Sequence, residues 1–138
     1  MSQIVEKIKQ FQKELENYKM SEQQRRMFNS FCRTKGAPVV FTTFDRYGEK
    51  VKLKLYTDKP NEGTQHILLK HYKSAVGRVT AIEIISMLEV IEKGEKSKAN
   101  NGILYTLSKN YHGVKYIINV KLTGGGNVLK SFYSDRKK

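Results

Sequence analysis

The chain is predicted to adopt an α+β fold, with helices first and then a C-terminal antiparallel meander. Three observations lead there. Ile4, Ile8, Phe11, Leu15 and Tyr18 recur at helical spacing near the N-terminus. Ser21-Glu22-Gln23-Gln24 and Thr80-Ala81-Ile82-Glu83 both have capping-box form, in which the first side chain and the fourth satisfy each other's backbone N–H groups. From residue 103 onward, β-rich runs alternate with turn residues, as in an antiparallel meander.

In order, residues 3–19 read as an amphipathic helix with Glu and Lys between the apolar positions. A second helix starts at Ser21, carries Met27, Phe28 and Phe31 as its apolar stripe, and ends at Lys35-Gly36-Ala37-Pro38. Val39 to Asp45 is rich in β-branched and aromatic residues, and Arg46-Tyr47-Gly48-Glu49 reads as a turn. Val51, Leu53 and Leu55 then alternate with Lys50, Lys52 and Lys54, which describes a half-buried strand with a cationic outer face. That lysine row suits either phosphate contact or an edge strand protected by charge.

Residues 58–64 form a loop, and a short helix is expected from Thr64 or Gln65 to about Lys73, broken by Gly77. The helix opened by Thr80 is expected to run to Lys93, burying Ile84, Ile85, Leu88 and Ile91 and stopping at Gly94. Residues 95–101 read as a polar loop. Three strands follow at about 103–109, 114–122 and 127–134, with turns at 110–113 and 123–127. The middle strand sets Tyr116, Ile118, Val120 and Leu122 on one face, and Lys115, Ile117, Asn119 and Lys121 on the other.

The 138 residues suit one domain over 1–138, with residues 1–60 as N-terminal helices and hairpin and 61–138 as the remainder of the core. Lys and Arg number 26 against 13 Asp and Glu, a formal charge of +13. Such a balance points to a polyanionic partner, since each basic group set on a phosphate releases a counterion; a solvated basic surface is the alternative. No apolar run reaches the roughly 18 residues of a membrane span. No lysine-rich amphipathic helix with bulky aromatics on one face is evident either, so no membrane partner is expected. The N-terminus soon turns charged, unlike a signal peptide, and the single Cys32 forbids an internal disulfide; a cytoplasmic location is expected. Cys32 shares the stripe of Met27, Phe28 and Phe31 and reads as core rather than nucleophile.

The residues that could carry chemistry are gathered late. Gln65-His66-Ile67-Leu68-Leu69-Lys70-His71 holds two of the three histidines, and Ser131-Phe132-Tyr133 lies near the C-terminus. His66 and Lys70, four apart, share a helix face, while His71 falls roughly 140° round from His66. Histidine titrates near neutrality, and lysine stabilises charge developing on phosphate. These are the groups needed to let a 2′-hydroxyl attack the adjacent phosphorus: a base for the hydroxyl proton, an acid for the leaving oxygen, a cation for the phosphorane. They could equally be exposed polar residues of a basic helix. Alternation sets Ser131 and Tyr133 on one strand face, where they could bind phosphate and stack on a base, or simply complete an ordinary strand. Arg136, Lys137 and Lys138 read as a solvated basic tail.

Other chemistries find little support. His66, His71 and His112 make no HExxH pair and there is no CxxC, so no metal or other cofactor is expected; His112 sits in a predicted turn. No Gly-x-Ser-x-Gly occurs, and Gly124-Gly125-Gly126 precedes no helix, so it is a hairpin turn rather than a phosphate cradle.

The C-terminal 75 or so residues resemble a family. A helix bearing His-x-x-x-Lys-His (His66, Lys70, His71), a second helix, a β-meander and a closing strand with Ser131-Phe132-Tyr133 is similar to the barnase–EndoU–colicin–RelE group of metal-independent ribonucleases, in particular its phage-type and contact-dependent toxin branches. The resemblance implies helices packed on a curved antiparallel sheet, with residues 61–138 as the ribonuclease-like core. It implies cleavage of RNA, often tRNA, to a 2′,3′-cyclic phosphate and a 5′-hydroxyl. It also implies a cognate immunity protein or antitoxin, and action in the cytoplasm, including that of a target cell. Carried over by position, His66 or His71 is the general acid/base, Lys70 stabilises the phosphorane, and Ser131 and Tyr133 bind phosphate or base. Lys50, Lys52, Lys54, Lys73, Arg78, Lys115 and Lys130 are the candidate RNA-backbone contacts. Two other readings stand beside it: a non-catalytic nucleic-acid-binding module, and an interaction protein such as a phage accessory factor. They are separated by whether His66, Lys70 and His71 converge with Ser131.

Overall fold

The computed structural model describes residues 2–74, 76–109 and 113–137. The order is α1 (Gln3–Leu15), α2 (Glu22–Phe31), β1 (Val39–Phe44), β2 (Lys50–Leu55), α3 (Thr64–Lys70), α4 (Ala81–Ile85), α5 (Leu88–Lys93), β3 (Glu95–Ala99), β4 (Gly102–Lys109), β5 (Val114–Thr123) and β6 (Gly126–Ser134). The fold is mixed α+β, with a six-stranded sheet in the order β1-β2-β6-β5-β4-β3. All neighbours pair antiparallel except β2 and β6, which run parallel through Leu53–Asn127 and Lys54–Val128. The expectation of a purely antiparallel sheet is therefore corrected. The N-terminal hairpin of β1 and β2 is the outer third of the same sheet.

Local chemistry explains most boundaries. Ser21 and Thr80 both make reciprocal capping boxes, with Gln24 and Glu83. Helix α1 ends at Leu15, short of the expected residue 19. The helix expected from Thr80 to Lys93 is broken into two by Ser86 and Met87; Ser86 has left helical geometry (φ −102°, ψ 10°), and its hydroxyl accepts from Gln24 Nε2 of α2 at 3.0 Å. The expected loop over 95–101 is instead β3, a lysine-bearing edge strand against β4. A strand so polar carries no apolar alternation to announce it. Leu122, placed with the buried row of β5, is 49% exposed because it lies beyond the core at the end of the strand. Ile117, on the opposite face, is buried.

One apolar cluster draws on every helix and on one face of the sheet. α5 packs on β1, β4 and β5, while α1 and α2 pack over α3 and α4. Phe11 is the hub of the helical layer: its ring meets Phe28 at 5.6 Å, Phe31 at 5.7 Å and Tyr72 edge-on at 5.8 Å. Each such aromatic pair adds about 0.5–1.5 kcal/mol beyond its buried area. Tyr72 also donates its hydroxyl to Glu14, and its carbonyl accepts from Lys7 Nζ at 2.9 Å. Helix α1 thereby pins the segment that follows α3.

The C-terminal strand is tied to that same segment. Ser134 N–H donates to Gly77 O at 3.2 Å, and Gly77 N–H to Arg136 O at 2.9 Å. Arg136, expected in a solvated tail, instead grips Glu83 through both terminal nitrogens at 2.7 and 2.8 Å, and both side chains are only 20% exposed. Lys138 lies outside the described residues, as do Asn110, Tyr111 and His112 of the predicted turn.

Candidate nucleotide cleft at the junction of α3 and β6

Beyond Val128, β6 loses β2 as a neighbour, and the chain fills the gap with α3 and the backbone at Gly77. Gly63, just before α3, donates its N–H to Lys130 O at 3.2 Å. Gly63 has φ +79°, a left-handed conformation that glycine adopts without steric cost. Thr64, Gln65, Ile67 and Leu68 are buried and hold α3 in place, and Gln65 Nε2 donates to Thr57 O at 3.0 Å. Gln65 is thus an anchor, and its neighbour His66 is turned outward.

His66, Lys70 and His71 face Ser131, Tyr133 and Lys130 across an open cleft, with Asn61, Ser74 and Asn119 completing its wall. The two imidazole rings lie 5.3 Å apart, and the Tyr133 ring stacks on His71 at 5.4 Å and 30°. His71 reaches His66 because it caps the helix C-terminus with φ −123° and so leaves helical geometry. The angular separation of a continuous helix does not apply there.

The sheet side of the cleft depends on a β-bulge. Asn119 pairs with Ser131 but Val120 with Leu129, so Lys130 is the extra residue on β6. The bulge points Lys130 and Ser131 into the cleft together. Ser131 is 6% exposed and its Oγ has no hydrogen-bond partner among the described residues; the same holds for His71 Nδ1. Buried polar atoms are nearly always paired, so an unpaired Ser131 hydroxyl beside the cleft is unusual; His71 Nδ1 is turned to the backbone of Gly77. Phe132, between Ser131 and Tyr133, points the other way into the core.

Among the described residues no carboxylate lines the cleft, while Lys70 and Lys130 do. Burial, the neighbouring His66 and Lys70 push His71 down to about 4. Burial, Lys70 and Lys130 lower His66 as well. At neutral pH the cleft thus presents uncharged imidazoles beside lysine ammonium groups, an arrangement that can take a proton and receive an anion. Its volume of about 580 Å³ suits a nucleotide-sized ligand.

The other expected contacts are dispersed. Lys50, Lys52 and Lys54 lie on the outer face of β2, and none of them lines the cleft. Lys73 is paired with Glu14 at 2.9 Å, and Lys115 and Arg78 are exposed elsewhere. Asn119 had gone unnoticed as a site residue; its place opposite Ser131 depends on the strand register. Cys32 is half-buried, with its thiol pushed up by burial. Among the described residues no three His, Cys, Asp or Glu side chains cluster as metal ligands would, and no helix is long and apolar enough to cross a membrane.

No protein-family model, curated protein or solved structure matches this chain.

Proposed function

We propose that the protein is a metal-independent endoribonuclease that cleaves through attack of the RNA 2′-hydroxyl. The observation that carries this reading is the meeting of His66 and His71, 5.3 Å apart, with Lys70, Lys130, Ser131 and Tyr133 in one carboxylate-free cleft. A module that only gripped RNA would need the lysines but not two imidazoles held uncharged between them.

On this reading a neutral imidazole, for which His71 is better suited, takes the 2′-hydroxyl proton as the O2′–P bond forms. Lys70 and Lys130 stabilise the charge gathering on the phosphorane oxygens. The P–O5′ bond then breaks and the 5′-oxygen takes a proton from His66, whose charged form the bound phosphate favours. The products are a 2′,3′-cyclic phosphate and a 5′-hydroxyl. Ser131 Oγ is free to donate to a phosphate oxygen. The resemblance of the His66–Lys70–His71 helix and Ser131-Phe132-Tyr133 strand to toxin ribonucleases makes tRNA the substrate to try first, and a dedicated immunity protein or antitoxin the matching partner.

The test is incubation with total tRNA in EDTA, beside His66→Ala and His71→Ala. Discrete fragments with cyclic-phosphate ends are expected, lost in either variant. Intact RNA that shifts on a gel would replace this reading with a binding module, and neither cleavage nor shift would turn attention to a protein partner.

A further inference from the structure

The cleft does not end at Tyr133. A second hollow of about 580 Å³ opens on the same outer face of the sheet, toward the β3–β4 turn, and shares Asn119, Lys130 and Tyr133 with the first. Its lining is mostly polar, with Leu104 as an apolar spot beside Asn119. Leu104 is the cross-strand neighbour of Asn119, so both project from the same face side by side. Asn100, Asn101 and Lys121 lie on its far rim, where the Lys121 ammonium is paired with the Glu62 carboxylate at 3.5 Å. The rim is held to the sheet, since Leu122 N–H donates to Asn101 O at 3.2 Å. Asn101 sits in the left-handed region at φ +59°, where asparagine is among the few tolerated residues.

The parts fit a base-binding subsite: Leu104 to pack against a base, the Tyr133 ring to stack on it, carboxamides able to read its edge, Lys130 for a flanking phosphate at one end, and Lys121 at the other once it exchanges Glu62 for phosphate. Tyr133 stacks on His71 in the cleft and also walls the second hollow. We propose that this hollow binds the nucleotide next to the scissile phosphate, so that the protein grips single-stranded RNA with consecutive bases splayed on either side of Tyr133. The proposal rests on the ribonuclease reading of the adjoining cleft. A base-paired substrate could not splay its bases, so unpaired loops are the expected targets.

The test compares the four nucleoside 3′-monophosphates with 2′-deoxy dinucleotides, which lack the attacking hydroxyl and cannot be cleaved. Affinities are measured by calorimetry on the full chain. The best dinucleotide is expected to bind about 10-fold more tightly than the monophosphate, in the range of stacking one base. Leu104→Ala and Lys121→Gln should each remove most of that gain and leave monophosphate affinity unchanged. A dinucleotide that binds no better than the monophosphate would overturn the second subsite and spare the cleft. A gain that survives both substitutions would overturn its placement. Failure of either ligand to bind would overturn the ribonuclease reading and this inference with it.

Discussion

His71 should titrate far below an ordinary histidine, and an anion in the cleft should reverse much of that shift. Burial, His66 and Lys70 hold it at about 4, against 6.5 for the free side chain. Because the folded value lies below the unfolded one, the unfolded chain binds the proton more readily between them. The stability that follows is fully present above pH 6.5 and is lost as the pH falls toward 4. At about 1.4 kcal/mol per pH unit the ceiling is about 3 kcal/mol. The ring is partly exposed, so about 1–2 kcal/mol is the working figure after solvent screening. A phosphate monoanion about 5 Å away at an effective dielectric of about 20 contributes about 3 kcal/mol in favour of the imidazolium, enough to lift the pKa by about 1–2 units after screening. The assay is an NMR titration of the imidazole C2 protons, assigned with His71→Ala, with and without inorganic phosphate. A resonance that titrates near 6.5 and ignores phosphate would refute both the desolvated imidazole and the anion site beside it.

Gly77→Ala should cost about 1–2 kcal/mol and lower the proposed ribonuclease activity about 100-fold. Gly77 has φ +71°, and an added Cβ would stand 3.0 Å from His71 Nδ1, so the imidazole must move. Gly48→Ala, at φ +83° with open space around it, should carry the backbone cost alone and keep activity; equal activity in the two variants would show that His71 placement does not matter. Arg136→Ala should destabilise by about 2–3 kcal/mol in urea melts, because it removes the cation from a half-buried Glu83 carboxylate and leaves it only the Tyr116 hydroxyl and the Thr80 N–H. Burial works to raise Glu83, but Arg136, Tyr116 and the Thr80 backbone outweigh it and hold the carboxyl at about 2. The clamp's contribution is therefore present above about pH 4.5 and fades toward 2, and that acid dependence should weaken in Arg136→Ala.

Much of this fold could be read along the chain because its signals are local. The capping boxes at Ser21 and Thr80, the 3.6-residue rhythm of Ile4, Ile8 and Phe11, and the alternation of Val51, Leu53 and Leu55 each report on neighbours within one turn or one pleat. Where the signal is absent, so was the reading: β3 is polar on both faces, and a strand held by backbone bonds at an edge leaves no hydrophobic trace. The break at Ser86 lies where α2 supplies a hydrogen bond from 62 residues away, which no window of the helix contains.

The candidate site divides in the same way. The sequence alone determined that two imidazoles and a lysine sit within one short segment, and that Ser131 and Tyr133 share a strand face. The tertiary structure decided that the two sets meet. It did so by ending β2 early so that α3 lies along β6, by turning His71 out of the helix at its cap, and by a bulge at Lys130 that aims one more cation and the unpartnered Ser131 hydroxyl into the cleft. Register, bulges and strand order arise from contacts between residues far apart in the chain, so the same composition and periodicity are compatible with several of them. The address of each chemical group can be read locally, whereas the distance between groups belongs to the packed whole.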